Sequence, residues 1–327
     1  GYGALDSLQT GESNIAIGVA AMDATTGAVS NCVVIGDRAG DAINNTAADG
    51  TVAIGYHALG ALTSGSNNVA IGYQAMLEET TGGNNTVVGH TAMNDSLAGL
   101  ENNNNTFIGF SSGGGTWEVN GSDSNTGVGS NTMIGAMNDA NYNTAMGHNA
   151  LSALTLGDNN TAIGYNALTS GTSATENTIV GSLAGDALVG GGSNTIVGAH
   201  AGGQTTAVGK TVIIGAEAGE SVMEATADGT VAVGYEALKG LTSGAGSVAV
   251  GYRALKAQTT GASNTAIGYQ SMLVANHADA DQNTCVGYIS GNAISSGQKN
   301  TLIGNEAGCT RLTTGDKNTA VGAETLG

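Results

Sequence analysis

Asn160-Thr161-Ala162-Ile163-Gly164-Tyr165 is one copy of a motif that recurs every 17 to 20 residues along the chain. Its glycine falls at Gly1, Gly18, Gly36, Gly55, Gly72, Gly89, Gly109, Gly129, Gly147, Gly164, Gly181, Gly198, Gly215, Gly234, Gly251, Gly268, Gly287, Gly304 and Gly322. Self-similarity at so short a period is the signature of a solenoid, in which each repeat stacks on its neighbours. No stretch lacks the motif for long enough to form a separate globule. The expected architecture is therefore an all-β repeat solenoid, a parallel β-roll or β-helix with coils of 17 to 20 residues. One continuous solenoid of about 18 repeats over residues 1–327 is expected.

The residue three places before the glycine is β-branched in every copy after Gly1: Thr86, Thr161 and Thr265 are typical, with Val52, Val231 and Ile15 as variants. The residue just before the glycine is Ile or Val, with Met146 the one exception. β-branched residues at alternating positions mark a strand and place both rows on one face. The position between them holds Ala162, Ile179, Ile196 and similar residues, never a charge. A strand apolar on both faces belongs to a buried parallel sheet. One face fills the coil's core, and the other is expected to be covered by a second layer or another chain. The Thr and Ile/Val face reads as buried, which counts against ice binding by the regular Thr row.

Two further rows recur. Asn stands four places before the glycine, as at Asn68, Asn85, Asn160, Asn177, Asn194 and Asn264, and is expected to form a stacked hydrogen-bonded ladder. Tyrosine follows the glycine at Tyr2, Tyr56, Tyr73, Tyr165, Tyr235, Tyr252, Tyr269 and Tyr288, a stripe that either packs on itself or binds sugars. The second half of the unit reads Ala-Leu, Ala-Met or Ala-Gly, as in Ala58-Leu59 and Ala75-Met76, followed by a Thr/Ser/Gly turn. Ala, Leu and Met favour helix, so a short helical turn or a second strand is expected there. Insertions fall in turns, at residues 43–49, 114–123 and 275–281. Residues 48–56 reappear nearly unchanged at 227–235, an offset of 179 that spans ten repeats and marks an internal duplication.

Composition narrows the function classes. Fifty-five glycines and no proline fit a backbone whose N–H groups are all needed, and exclude collagen. Eight basic residues against 26 acidic give a net charge of −18, which argues against nucleic acid and anionic membranes as partners. No apolar run is long enough for a membrane span in this segment. Cys32, Cys285 and Cys309 are too sparse for a disulfide framework; Cys32 and Cys285 read as small buried residues inside the repeat. His57, His90, His148 and His200 look like substitutions in or beside the tyrosine slot, and with His277 they lack zinc spacing. No cofactor is expected. Calcium on the loop aspartates Asp49, Asp158, Asp228, Asp281 and Asp316 is a minor alternative, because they lack the nonapeptide calcium pattern. No nucleophile motif supports an enzyme. Gly1-Tyr2-Gly3-Ala4-Leu5 matches the middle of a repeat and the chain stops just after Gly322, so a longer array is expected on both sides.

Ser13-Asn14-Ile15-Ala16-Ile17-Gly18, Asn68-Val69-Ala70-Ile71-Gly72 and Asn160-Thr161-Ala162-Ile163-Gly164 resemble the repeats of trimeric autotransporter adhesin heads and of phage tail fibres. The resemblance spans the chain and implies a left-handed parallel β-roll, three chains side by side, and binding to host surfaces. The period is longer here than in those heads, and an Ala-Leu segment is added. The expected function is a structural fibre or filament protein, extracellular, on a cell surface or on a virion. It self-assembles through an apolar strand face, as a homotrimer or helical filament. The alternatives are a glycan-binding adhesin head using the tyrosine stripe and an ice-binding solenoid.

Overall fold

The short strands follow from the spacing of β-branched residues and the glycine that ends each run. The computed structural model describes all residues except 97–98, 276–279, 311–313 and 327. His277 and part of the insertion at residues 275–281 therefore lie outside the described residues. The chain forms two compact units, Gly1–Asn160 and Thr161–Gly327. In the first, each repeat after Gly1 gives one three-residue strand: β1 (Ile15–Ile17), β2 (Val33–Ile35), β3 (Val52–Ile54), β4 (Val69–Ile71), β5 (Thr86–Val88), β6 (Thr106–Ile108), β7 (Thr126–Val128) and β8 (Thr144–Met146). The second unit carries β9 (Thr161–Ile163), β10 (Thr178–Val180), β11 (Thr195–Val197), β12 (Val212–Ile214), β13 (Val231–Val233), β14 (Val248–Val250), β15 (Thr265–Ile267), β16 (Thr284–Val286), β17 (Thr301–Ile303) and β18 (Thr319–Val321).

Within each unit, strands consecutive in sequence pair in parallel and in register. Val52, Ala53 and Ile54 face Val69, Ala70 and Ile71; Val248, Ala249 and Val250 face Thr265, Ala266 and Ile267. Each unit is thus an all-parallel β-solenoid. Inter-coil hydrogen bonds continue well beyond the strands. Val52 N–H donates to Asn68 O (2.8 Å), Gly55 N–H to Ile35 O (2.8 Å), His57 N–H to Asp37 O (3.0 Å) and Leu59 N–H to Ala75 O (3.0 Å). A proline would forfeit such a bond, which accounts for its absence.

The landmark glycine is required twice over. Gly55 has φ of 134° and Gly251 of 135°, a region closed to residues with a side chain. A Cβ on Gly55 would also run into the carbonyl of Gly72 in the next coil.

The expected helical turn is not formed. Among the described residues the only helical pieces are single 3-10 turns, Thr46–Ala48 and Ala225–Ala227, in the duplicated loops. The Ala-Leu half alternates instead: His57 and Leu59 have φ of 54° and 52°, and Arg253 and Leu255 have 57° and 51°. Left-handed residues at every second position cannot propagate an α-helix. The alternation turns Ala58, Leu59 and Leu62 fully into the core.

The core face of the strand is the middle position. Ala53, Val87, Phe107, Ile179, Ile196, Ile213 and Leu302 are all completely buried. The flanking Thr/Val and Ile/Val rows point outward, each half-buried or exposed. This corrects the expectation that the Thr row lies on a buried face. Thr178 is exposed, and Thr161 and Thr195 are half-buried. Periodicity reveals two faces but not which one the coil closes around; here the middle residue, from Ala53 to Phe107, fills the interior.

Candidate functional site

Four rows of side chains line up when the coils stack, and each has a different chemistry. The first is the outward strand face. Its inner rank runs Thr86, Thr106, Thr126, Thr144 in one unit and Thr265, Thr284, Thr301, Thr319 in the other. Its outer rank includes Ile17, Ile108, Ile214, Ile267 and Val321, between 38% and 67% exposed. Neither rank contains a charged residue. Neighbouring strands in such a sheet lie about 4.8 Å apart.

The second row is the asparagine ladder, which is buried. In the first unit Asn68 Oδ1 accepts both the backbone N–H (2.9 Å) and the side-chain Nδ2 (3.1 Å) of Asn85. The backbone relay continues through Asn105 and Asn125 to Asn143, each link 2.9 to 3.0 Å. Asn160 then donates to Asn143 Oδ1 from both nitrogens, at 3.0 Å. In the second unit Asn194 donates to Asn177 Oδ1 (3.1 and 2.9 Å), and Asn283 to Asn264 Oδ1 (2.9 and 3.1 Å). The other hydrogen of each amide reaches a loop carbonyl, as Asn85 Nδ2 to Asn102 O at 2.7 Å. These groups are fully committed to one another and offer nothing to a ligand. Where Thr replaces Asn at the two 3-10 turns, its hydroxyl takes over: Thr51 donates to Ala48 O (2.8 Å) and Thr230 to Ala227 O (2.7 Å).

The loop aspartates have a structural use that the sequence did not disclose. Six places before the glycine, a side-chain oxygen accepts a backbone N–H from the preceding coil. Asp49 accepts from Ser30 (2.8 Å), Asp158 from Asn141 (2.7 Å), Asp228 from Gly209 (2.8 Å), Asp281 from Ala262 (2.6 Å) and Asp316 from Gln298 (2.8 Å). Asn103 and Asn141 occupy the same place and do the same. The recurrence of Asp or Asn at that offset was the available signal. Among the described residues no group of three or more His, Cys, Asp or Glu is arranged to hold a metal ion.

Tyrosines build two ring stacks. Tyr56, Tyr73, His90 and Phe110 stack at 5.3, 4.9 and 5.5 Å between ring centres, with interplanar angles of 15° to 20°. Tyr235, Tyr252, Tyr269 and Tyr288 stack at 5.5, 5.1 and 5.4 Å, with angles of 7° to 20°. Tyr165 lies in the same slot of its coil, 52% exposed. Rings at these separations leave no room for a sugar between them. Inside a stack only edges and phenol oxygens meet solvent.

Beside the second stack lies a cluster absent from the sequence reading. Glu236, whose side chain is 7% exposed, accepts from Arg253 Nε (2.5 Å), Lys256 Nζ (2.8 Å) and Lys239 Nζ (3.4 Å). Lys239 also meets Glu217 (2.5 Å) and Glu220 (2.8 Å). Burial pushes the Glu236 carboxyl up, but the hydrogen bonds from Lys256 and Arg253 outweigh it and hold it down at about 2. Arg253 sits 4.9 Å from the centre of the Tyr252 ring and, with Lys256, Ala257, Leu273 and Val274, lines a surface concavity of about 310 Å³. A sequence signal existed in the spacing of Glu236, Arg253 and Lys256 relative to Gly234 and Gly251. It becomes visible only when coils are stacked.

Cys32 and Cys285 are buried and Cys309 is half-buried, all three free. Burial raises the Cys285 thiol to about 12 and pushes Cys32 up too, so neither is a nucleophile at neutral pH. Among the described residues no helix is long and apolar enough to cross a membrane. The chain matches no protein-family model, and comparisons with curated proteins and with solved structures returned no match.

Proposed function

We propose that this chain is a structural β-solenoid of an extracellular, cell-surface or virion fibre, and that it self-associates through the outward Thr/Val and Ile/Val face. One observation carries this: on a chain of net charge −18, both outward ranks are free of charge and solvent-facing. Mutual repulsion elsewhere disfavours contact between copies, so an uncharged face is where a second copy meets least resistance. Covering a half-exposed Ile or Val contributes on the order of 1 kcal/mol, and the gain repeats at every coil. The resemblance to adhesin heads and tail fibres supports the same reading.

Cysteine labelling tests it. Val250→Cys and Ile267→Cys, both on the outer rank, are expected to react slowly with a thiol reagent in the native particle and quickly after dissociation. Equal rapid labelling before and after dissociation would contradict the proposal. Thr178, exposed on the same face, favours a second use of it: ordering water at an ice surface. Thermal hysteresis in dilute, unassembled protein supports that second use; its absence removes it.

A further inference from the structure

The concavity beside Arg253 and Lys256 differs in charge from its counterpart in the duplicated block, and that difference marks it as specialised. Its lining residues stand two, five and six places after Gly251 (Arg253, Lys256, Ala257) and five and six places after Gly268 (Leu273, Val274). The same places after Gly72 and Gly89 hold Gln74, Leu77, Glu78, Asn94 and Asp95. Two cations and three apolar residues thus replace two acids and three neutral residues, on a chain with only eight basic residues.

The charges are also ordered along the coils. Glu217 and Glu220 lie at one end, Glu236 and Lys239 in the next coil, and Arg253 and Lys256 beyond them. The groove sits at the positive end of this gradient. Glu236 holds both cations through Nε of Arg253 and Nζ of Lys256, a contact that does not use the guanidinium's terminal nitrogens. Those terminal nitrogens suit bidentate contact with a carboxylate. On the other side, Leu273 and the 42% exposed Val274 offer an apolar wall for a methyl or acetyl group. A concavity of about 310 Å³ is at the small end of ligand sites and is of the order needed for one sugar ring.

We propose that this groove binds the carboxylate of an acidic monosaccharide carrying an apolar substituent, at the end of a surface glycan. The site lies in the turn half of the coils and does not depend on the strand face used for self-association. It replaces sugar stacking on the tyrosine rings, whose faces are occupied by one another.

The test is saturation-transfer NMR and titration calorimetry with the methyl glycoside of N-acetylneuraminic acid. Methyl N-acetylglucosaminide and acetate serve as neutral-sugar and bare-carboxylate controls. Two variants import first-block residues: A257E/V274D leaves the ion pairs intact, and E236H/R253Q/K256L removes them. Both are checked for folding by circular dichroism. The native protein is expected to bind the acidic sugar, with affinity at least about tenfold weaker for both controls and for both variants. No binding at millimolar sugar, equal binding by A257E/V274D, or acetate binding as tight as the sugar would each overturn the proposal.

Discussion

At the scale of single residues, the repeat tolerates exceptions only where a neighbour compensates. Phe107 occupies a core position that most coils fill with Ala, Val or Ile, and Gly127 is the glycine at the equivalent place in the next coil. The two are linked. A Cβ on Gly127 would lie 2.7 Å from Phe107 Cδ1, and one on Gly113 would lie 2.8 Å from the same ring. Trp117 closes the cluster edge-on to Phe107 at 5.7 Å, its Nε1 donating to Gly113 O at 2.9 Å. Gly127→Ala alone is therefore expected to cost about 1–3 kcal/mol by overpacking, and Phe107→Ala about 3–5 kcal/mol by opening a cavity. Combined, their chemical-denaturation costs should fall short of the sum by about 1 kcal/mol or more; strict additivity would contradict the coupling. In the buried ladder, Asn143→Ala removes the acceptor of Asn160's two donors and is expected to cost about 1–3 kcal/mol, measured the same way. The asparagine and tyrosine slots were legible in the sequence because identical residues recur at one offset. The Phe107–Gly127 compensation was not, because each reads as an isolated exception until the two are seen to meet in the core.

At the scale of the element, the strand is evident from β-branched alternation, but the other half of the coil is not. Leu59, Met76, Leu238 and Leu255 carry no preference for the left-handed region, yet all have φ between 50° and 52°. Each such residue costs about 1–2 kcal/mol relative to an ordinary conformation. Inter-coil hydrogen bonds and complete burial of the side chain offset it, and both come from neighbouring coils. Local propensity therefore points to a helical turn that stacking overrides. The ionic cluster is likewise a product of stacking, since Glu236 and Arg253 are 17 residues apart. Its acid sensitivity has a definite sign. Glu236 falls from its ordinary 4.5 to about 2 in the folded chain, so its contribution is present above pH 4.5 and is lost as pH falls through about 2. Thermal melts should show Glu236→Gln less stable than the native chain at pH 6, with the gap closing toward pH 2. A gap that is constant over that range would mean that ionisation of Glu236 contributes nothing.

At the scale of the molecule, the 179-residue offset read in the sequence is also the spacing between the starts of the two 3-10 turns, Thr46 and Ala225. The two blocks share core residues such as Ala53 and Ala232, Leu59 and Leu238, and Ala70 and Ala249, and diverge in surface charge, as the groove beside Arg253 shows. What periodicity left open was direction: alternation identified two apolar strand faces without assigning inside and outside. The middle residues fill the coil's interior, and the β-branched ranks are left facing outward, uncharged on an otherwise acidic chain. That exposed face is the basis of the proposed self-association. Sedimentation velocity of the native chain and of Val250→Lys/Ile267→Lys, at the same concentration and salt, is the most direct measurement. The native chain, of 31.8 kDa, is expected to sediment as a multiple of that mass, and the lysine variant as a folded monomer. A native chain that sediments as a stable 31.8 kDa monomer at all concentrations tested would contradict the account.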